Sequence, residues 1–191
     1  MGESATNRYL SQPIHPTAFP APGMARAGAS NIPIPPPRFK PETSELDAPL
    51  HLLGFQIDVL SATTVTGHLR VTDSCCQPFK MLHRGVSALI AEALSSMGAH
   101  VASGFKRVAG IEISINHHRS ATVGDLVYAH AEPLEAANPI QVWEVWLWKM
   151  NESTMTREAL LASSKVTILS YMAVPENAKD AVLAFRKYAK L

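Results

Sequence analysis

A single carboxylate, Glu92, lies in the longest run of strong helix formers in the chain, Gln77–Gly98. Apolar residues recur around it at three- and four-residue steps, which predicts a mostly apolar, buried helix from about Arg84 to Ser103. A buried carboxylate is costly unless it is paired, hydrogen-bonded or used in chemistry. Ser96 follows four residues later, on the same helix face. Glu92 could therefore be a nucleophile, a general base for water, or a structural partner in a subunit interface.

Other reactive side chains lack the partners that their chemistry requires. His117 and His118 are adjacent and so point to opposite faces of a strand, and no carboxylate accompanies them or His130 at metal-ligand spacing. Cys75 and Cys76 are poorly placed to bridge each other and are interpreted as packing residues. We therefore expect no metal and no other cofactor, and the cysteine usage fits a reducing compartment.

Length and charge narrow the class of protein. The 191 residues correspond to about one domain plus a tail. The 17 basic and 16 acidic residues give a net charge of +1, so we expect no nucleic-acid partner and no membrane-surface partner. No run of about eighteen apolar residues predicts a transmembrane helix.

The two ends of the chain differ in composition from the middle. Residues 1–46 hold nine of the fourteen prolines and are predicted to form a disordered or extended tail, with a transit peptide as the alternative. The folded domain is expected over residues 47–173, followed by an amphipathic helix within 174–191. The last three residues, Ala189-Lys190-Leu191, match the small–basic–Leu pattern of a peroxisomal address, unless the match is a chance one.

Alternating apolar residues predict six strands around the central helix. We expect two strands before it, at Phe55–Leu60 and Thr63–Thr72, and four after it. The later four are predicted at Arg107–Arg119, Leu126–Glu135, Ile140–Met150 and Leu160–Tyr171. Short connections make these four antiparallel. The prediction is an α+β fold in which an antiparallel sheet wraps one long helix, with the tryptophans of the third of these strands in the core and at a subunit interface.

The segment from Leu82 to Glu92, LHRGVSALIAE, together with this topology resembles the hotdog-fold thioesterases of the 4-hydroxybenzoyl-CoA thioesterase type. The runs CCQPFK, SALIAEALSSMGAH, SGFKRVAG and SINH are similar to plant peroxisomal 1,4-dihydroxy-2-naphthoyl-CoA thioesterases of phylloquinone (vitamin K1) biosynthesis. The resemblance covers about Pro49 to Ser170. It implies a homo-oligomeric hydrolase, a dimer or tetramer, that acts on an acyl-CoA substrate and is recognised by the peroxisomal import receptor.

The resemblance also implies roles for particular residues. Gln77 would contact the thioester, His83 and Gly85 would form the turn into the helix, and the N–H of Arg84 would polarise the carbonyl. Glu92 would be the catalytic carboxylate, assisted by Ser96. The residues that would hold CoA are Asn116, Arg119, Ser120 and Lys165. His83 could instead only shape the helix entry, and the basic residues could be a solvated face.

Elementary chemistry agrees with these roles. A thiolate leaves easily, so a thioester needs only a nucleophile or base and a stabilised oxyanion, which the free N–H groups of a helix start provide. Glu92 lies about 12 Å along the helix axis from Arg84. Two subunits sharing each site, one giving the helix start and the other Glu92, would bring these groups together.

Arg84 departs from the family pattern, which has Gly at this position. If the backbone required a positive φ there, Arg would cost about 1–2 kcal/mol, and a cation at a helix start about 0.3–1 kcal/mol more. Three functions therefore stay open: a thioesterase for an aromatic acyl-CoA, a general acyl-CoA thioesterase, and a weakened or non-catalytic hotdog protein that binds acyl-CoA. Retention of Gln77, Glu92 and Ser96 favours an active enzyme.

Overall fold

The computed structural model describes residues 41–137 and 139–190. It contains six strands and one long helix, in the chain order that the hydrophobic pattern predicts. The helices are α1 (Thr43–Leu46), α2 (Ala48–Leu52), α3 (Arg84–Ala102) and α4 (Lys179–Tyr188). The strands are β1 (Gln56–Leu60), β2 (Val65–Arg70), β3 (Arg107–His117), β4 (Leu126–Glu135), β5 (Ile140–Asn151) and β6 (Thr156–Met172).

The six strands form one antiparallel sheet in the order β1-β2-β4-β5-β6-β3. The sheet packs around α3, which contacts β2, β3, β4, β5 and β6. The predicted α+β architecture is therefore correct. Strand β6 begins at Thr156, earlier than the predicted Leu160, because its pairing with β5 continues to the turn.

The short connection between β3 and β4 suggests that these two strands pair, but the structure shows otherwise. Strand β3 pairs with β6 at the edge of the sheet and not with β4, its successor in the chain. The connection through residues 118–125 must therefore return across the sheet. On its way it hydrogen-bonds the entry to α3, where the Leu82 N–H donates to the Ala121 carbonyl at 2.9 Å.

Order begins before the predicted domain start at residue 47. Helix α1 already occupies Thr43–Leu46, and the buried Thr43 hydroxyl accepts a 3.0 Å hydrogen bond from the Ile57 N–H of β1. This tertiary contact explains why a segment without apolar periodicity is ordered. Residues 1–40 of the predicted tail, which spans residues 1–46, lie outside the described residues.

The end of the described chain packs on the domain. Val182 and Phe185 of α4 lie against the core, and the Lys190 N–H donates to the Leu60 carbonyl at 2.8 Å. Leu191 lies outside the described residues. Within the described part of the chain, no helix is both long and apolar enough to cross a membrane.

The position of α3 on the sheet depends on Trp143 of β5, which is fully buried. Its ring lies directly over Gly98, where an added Cβ would come within 2.3 Å of the indole. The indole N–H donates to the Gln141 side chain at 3.0 Å, and Gln141 in turn donates to the Ala99 carbonyl at 3.3 Å. The ring therefore cannot move aside without breaking buried hydrogen bonds.

Gly98→Ala should lower the free energy of unfolding by about 1–3 kcal/mol, because the new methyl group overpacks this contact. The gain in helix propensity, about 1 kcal/mol, acts in the opposite direction. Urea denaturation measures the change. Trp143→Phe provides the matched partner for a double-mutant cycle, in which Gly98→Ala should cost less in the Phe background. A Gly98→Ala protein as stable as wild type would contradict the packing described here.

Candidate active site

Two backbone N–H groups in the first turn of α3 differ in whether they are hydrogen-bonded within the described residues. His83 is the N-cap, and its Nδ1 accepts a 2.9 Å hydrogen bond from the Gly85 N–H. The N–H of Arg84, the first helical residue, has no partner within the described part of the chain. The first N–H groups of a helix have no intrahelical acceptor, so this donor is available to a ligand.

A tight turn ahead of the helix fixes Gln77. Its Oε1 accepts a 2.7 Å hydrogen bond from the Phe79 N–H, and its carbonyl accepts one of 2.9 Å from the Lys80 N–H. Lys80 has a φ of 62° and forms an ion pair with Asp73. Because the carbonyl oxygen of the Gln77 side chain is in use, its NH2 group is the part left to contact a ligand.

These elements enclose a cavity of about 420 Å³ in front of α3. The residues that line it come from the turn, the helix start, the end of β3, the returning connection and β6. They are Gln77, Phe79, Met81, Leu82, His83, Arg84, Ser87, His117, His118, Arg119, Ser120, Ala121 and Leu161. The structure therefore places Gln77, His83, Arg84, Arg119 and Ser120, all predicted site residues, around one space.

The described part of the cavity lining is basic. Two arginines and three histidines belong to it, and no Asp or Glu among the described residues does. No group of three or more His, Cys, Asp or Glu side chains in residues 41–137 and 139–190 is arranged to hold a metal ion. The electrostatics of the cavity thus suit an anionic ligand.

His117 is a cavity residue that the sequence reasoning did not assign to the site. Its Nε2 is buried and has no partner among the described residues. Burial lowers the pKa of His117 first, and the nearby positive charge of Arg84 lowers it further, while the Arg84 carbonyl acts in the opposite direction. The period-two pattern of β3, with Ile113 and Ile115 on the helix side, was the available signal for its orientation.

Glu92 and Ser96 meet as the helical spacing predicts, but outside this cavity. The Ser96 hydroxyl donates to Glu92 Oε1 at 2.7 Å. The carboxylate is half-buried against β3, where a Cβ added at Gly110 would lie 3.2 Å from Oε1. An isolated glycine within a strand indicates such a close approach, and this signal for Gly110 was missed.

Two predicted CoA residues do not reach the cavity in one chain. Asn116 and Lys165 lie on the face of the sheet away from α3, because they pair across strands with Ser163 and Ser114 and alternate with inward residues. Lys165 also lies 3.7 Å from Glu144, an ion pair within that face.

The backbone strain considered for Arg84 is absent. The non-glycine residues with positive φ in the described ranges are Lys80, Phe105, Met155 and Tyr171. Arg84 instead begins α3 with an exposed side chain. The condition for strain at Arg84 is not met, because the helix starts at Arg84 itself, with His83 as the cap.

The arrangement matches the requirements of acyl transfer. A free N–H at a positive helix end can polarise a carbonyl, a basic cavity can hold an anionic carrier, and a carboxylate with a hydroxyl partner stands on the same helix. The family model for the thioesterase superfamily matches residues 79–156, which include α3 with Glu92 and most of the cavity lining, but not Gln77. The chain is also 53% identical over 137 residues to 1,4-dihydroxy-2-naphthoyl-CoA thioesterase 2 of Arabidopsis thaliana, covering 71% of this chain and 87% of that protein. The chain belongs to the thioesterase superfamily.

Two further relatives extend this finding. A 1,4-dihydroxy-2-naphthoyl-CoA hydrolase of Listeria monocytogenes is 37% identical over 117 residues, covering 61% of this chain and 89% of that one. The crystal structure of a thioesterase from Haemophilus influenzae matches with a TM-score of 0.56 and 27% identity, over 68% of this chain and 87% of its own. The fold is thus the hotdog fold of this thioesterase superfamily, and the protein is a thioester hydrolase.

The pKa of His117 should lie below its ordinary value of 6.5, so that the ring is neutral at pH 7. Arg84→Gln should raise this pKa, because it removes a positive charge that disfavours the protonated ring and leaves the backbone in place. Histidine-selective NMR titration measures both values. Arg119→Gln is the matched control and should move the pKa of His117 less. A pKa that does not rise in Arg84→Gln would place the guanidinium elsewhere.

Proposed function

We propose that the protein hydrolyses an aromatic acyl-CoA, with 1,4-dihydroxy-2-naphthoyl-CoA as the first candidate, to 1,4-dihydroxy-2-naphthoate and CoA. The observation that carries the proposal is the N–H of Arg84, a cavity residue: this donor has no partner among the described residues, and the described lining of the cavity is basic and contains no carboxylate. The names of the Arabidopsis and Listeria relatives support this acyl group. In a plant, the acid released would serve phylloquinone biosynthesis.

In this proposal the thioester carbonyl lies at the start of α3. Its oxygen accepts from the Arg84 N–H, and the NH2 group of Gln77 donates to the thioester region. The positive end of the helix stabilises the charge that develops on this oxygen during attack. Loss of one such donor commonly costs about 10²- to 10³-fold in kcat.

The carboxylate that acts on this carbonyl comes from a second copy of the chain. Within one chain, Glu92 is eight residues beyond Arg84, about 12 Å along the axis, and does not line the cavity. It lies instead against β3, the edge strand, whose Ile111 and Ile113 are 57% and 40% exposed. Pairing of two β3 edges around a two-fold axis would complete two sites at once.

Glu92 then attacks the carbonyl carbon or removes a proton from the attacking water, while the Ser96 hydroxyl orients it through the 2.7 Å hydrogen bond. Arg119 and Ser120 contact the phosphates of CoA. Asn116 and Lys165 lie on the opposite face of the sheet, so they could contact CoA only when it is bound to another subunit.

A second candidate function is binding of acyl-CoA without efficient hydrolysis. The specific observation in its favour is that Arg84 lines the cavity, where its side chain adds a cation and bulk near the proposed thioester position. Between these two functions lies a general thioesterase that hydrolyses a broader range of acyl-CoA substrates. The relatives include enzymes named as proofreading thioesterases as well as naphthoyl-CoA hydrolases.

Glu92→Ala should lower kcat for 1,4-dihydroxy-2-naphthoyl-CoA by about 10²- to 10⁴-fold, the range for loss of a positioned acid–base group. Thiol release is followed over a panel of aromatic and straight-chain acyl-CoA substrates. Glu158→Ala, which removes an exposed carboxylate 3.9 Å from Lys149, is the matched control and should retain activity. Full activity of Glu92→Ala would remove Glu92 from the site. An inert wild type that Arg84→Gly activates would favour the binding function.

Mixed oligomers should recover activity when the two defects lie on different chains. In a pair of Glu92→Ala and Gln77→Ala subunits, one site keeps the intact helix start of the first chain and the intact Glu92 of the second. Differently tagged chains are co-expressed and the mixed species is isolated and assayed. We expect close to half of wild-type activity. If each site lay within one chain, both sites would carry one defect and no recovery would occur.

We also propose that Ala189-Lys190-Leu191 directs the protein to peroxisomes through their import receptor. A fluorescent protein fused to the N-terminus should enter peroxisomes in plant cells, and deletion of Leu191 should leave it in the cytosol. Lys187→Ala, which breaks the 3.0 Å ion pair with Glu45 but keeps the last three residues, controls for general damage to α4. Peroxisomal import without Leu191 would disprove this address.

A further inference from the structure

Arg84 has no acidic partner among the residues that the structure describes. Six other basic side chains in the described residues form ion pairs of 2.5 to 3.7 Å, and they are Arg70, Lys80, Lys149, Lys165, Lys179 and Lys187. Arg157 and Arg186 lie over aromatic rings. Arg84 has neither kind of contact within residues 41–137 and 139–190, and it lines the cavity.

The local fold gives no reason for a cation at this position. The helix is capped by His83, and the hydrogen bond to the Gly85 N–H does not involve the Arg84 side chain. A positive charge at the N-terminal end of a helix is electrostatically unfavourable. A ligand with an electron-rich group would offset this cost.

The guanidinium belongs to a residue that lines the cavity, as does His117 at the end of β3. It acts electrostatically on His117, whose cross-strand partner Ala162 is buried on the helix face of the sheet. Arg84 and His117 therefore border the same cavity. A group that Arg84 binds inside this cavity lies near both residues.

The reach of the side chain restricts which part of an acyl-CoA this can be. The N–H of the same residue holds the thioester carbonyl in the proposed function, so the guanidinium reaches only groups close to that carbonyl. The diphosphate of CoA lies at the far end of the pantetheine arm, which is longer than an arginine side chain. The partner of Arg84 is therefore on the acyl group.

We propose that Arg84 is a specificity-determining residue that selects aromatic thioesters with a hydroxyl group ortho to the thioester carbonyl. This inference rests on the proposed function. In such an acyl group the hydroxyl oxygen is adjacent to the carbonyl oxygen and coplanar with it, so a planar guanidinium can donate to the hydroxyl oxygen while the backbone N–H of the same residue donates to the carbonyl oxygen. The hydroxyl keeps its proton and donates it to the carbonyl oxygen, while its own oxygen accepts from Arg84. The 1,4-dihydroxy-2-naphthoyl group has a hydroxyl in this position.

The test compares isomers that differ only in the position of one hydroxyl, 2-hydroxybenzoyl-CoA and 4-hydroxybenzoyl-CoA. The ratio of their kcat/KM values should favour the ortho isomer in wild type. Arg84→Gln should lower this ratio by roughly 10- to 100-fold, as expected for loss of a charge-assisted hydrogen bond. The ratio for Arg84→Lys should lie between those of wild type and Arg84→Gln, because lysine keeps the charge but loses the planar pair of donors. Arg119→Gln should lower both values together and leave the ratio unchanged.

Binding separates this inference from the proposed function. The thioether ketones 2-hydroxyphenacyl-CoA and 4-hydroxyphenacyl-CoA keep the carbonyl and the hydroxyl but cannot be hydrolysed, and calorimetry gives their affinities. If wild type hydrolyses no thioester but binds the ortho isomer more tightly in an Arg84-dependent way, the hydrolase function fails and the inference stands. If Arg84→Gln has the same ortho-to-para ratio as wild type in both kcat/KM and affinity, Arg84 does not bind the hydroxyl group.

Discussion

The contact between Trp143 and Gly98 is the constraint on which the rest of the structure depends. The indole is fully buried, and two consecutive hydrogen bonds through Gln141 to Ala99 hold it against the helix. Only a residue without a side chain lets the helix approach the sheet this closely. Because α3 is rigid, this one contact sets the position of both its first turn and its middle. The helix start then faces the returning β3–β4 connection, and Glu92 faces β3.

The start of α3 and the Glu92 carboxylate differ in electrostatic environment as well as in position along the helix. The cavity at the helix start has arginines and histidines but no carboxylate among its described lining residues. Glu92 would repel the phosphates of an acyl-CoA if it lay in that lining. Its position against Gly110 of the edge strand keeps the charge away from the carrier and close to the surface where a second chain can pair. This separation is a physical argument for the proposal that the site is divided between subunits.

Arg84 shows how a site can change without a change in fold. The helix cap is made by His83 and the free donor is a backbone N–H, so the side chain at this position is not constrained by the local structure. A substitution there alters the charge and shape of the cavity and the pKa of His117, but leaves the donor in place. Residues of this kind are suited to tune which acyl group is accepted while the chemistry of the thioester carbonyl is retained.

The sequence by itself determined the elements that have strong periodicity. Helix α3 begins at the predicted Arg84, and β4 has the predicted bounds, because one buried face repeats along each of them. The Glu92–Ser96 pair followed from helical spacing alone. The order at Thr43–Leu46, the pairing of β3 with β6 and the orientation of Lys165 toward Glu144 were decided only by the tertiary structure. These features depend on contacts between residues far apart in the chain, and no local pattern encodes which distant strand an edge will pair with. The cavity has the same origin, since the β3–β4 connection brings Arg119 to the helix start only because β3 lies at the far edge of the sheet.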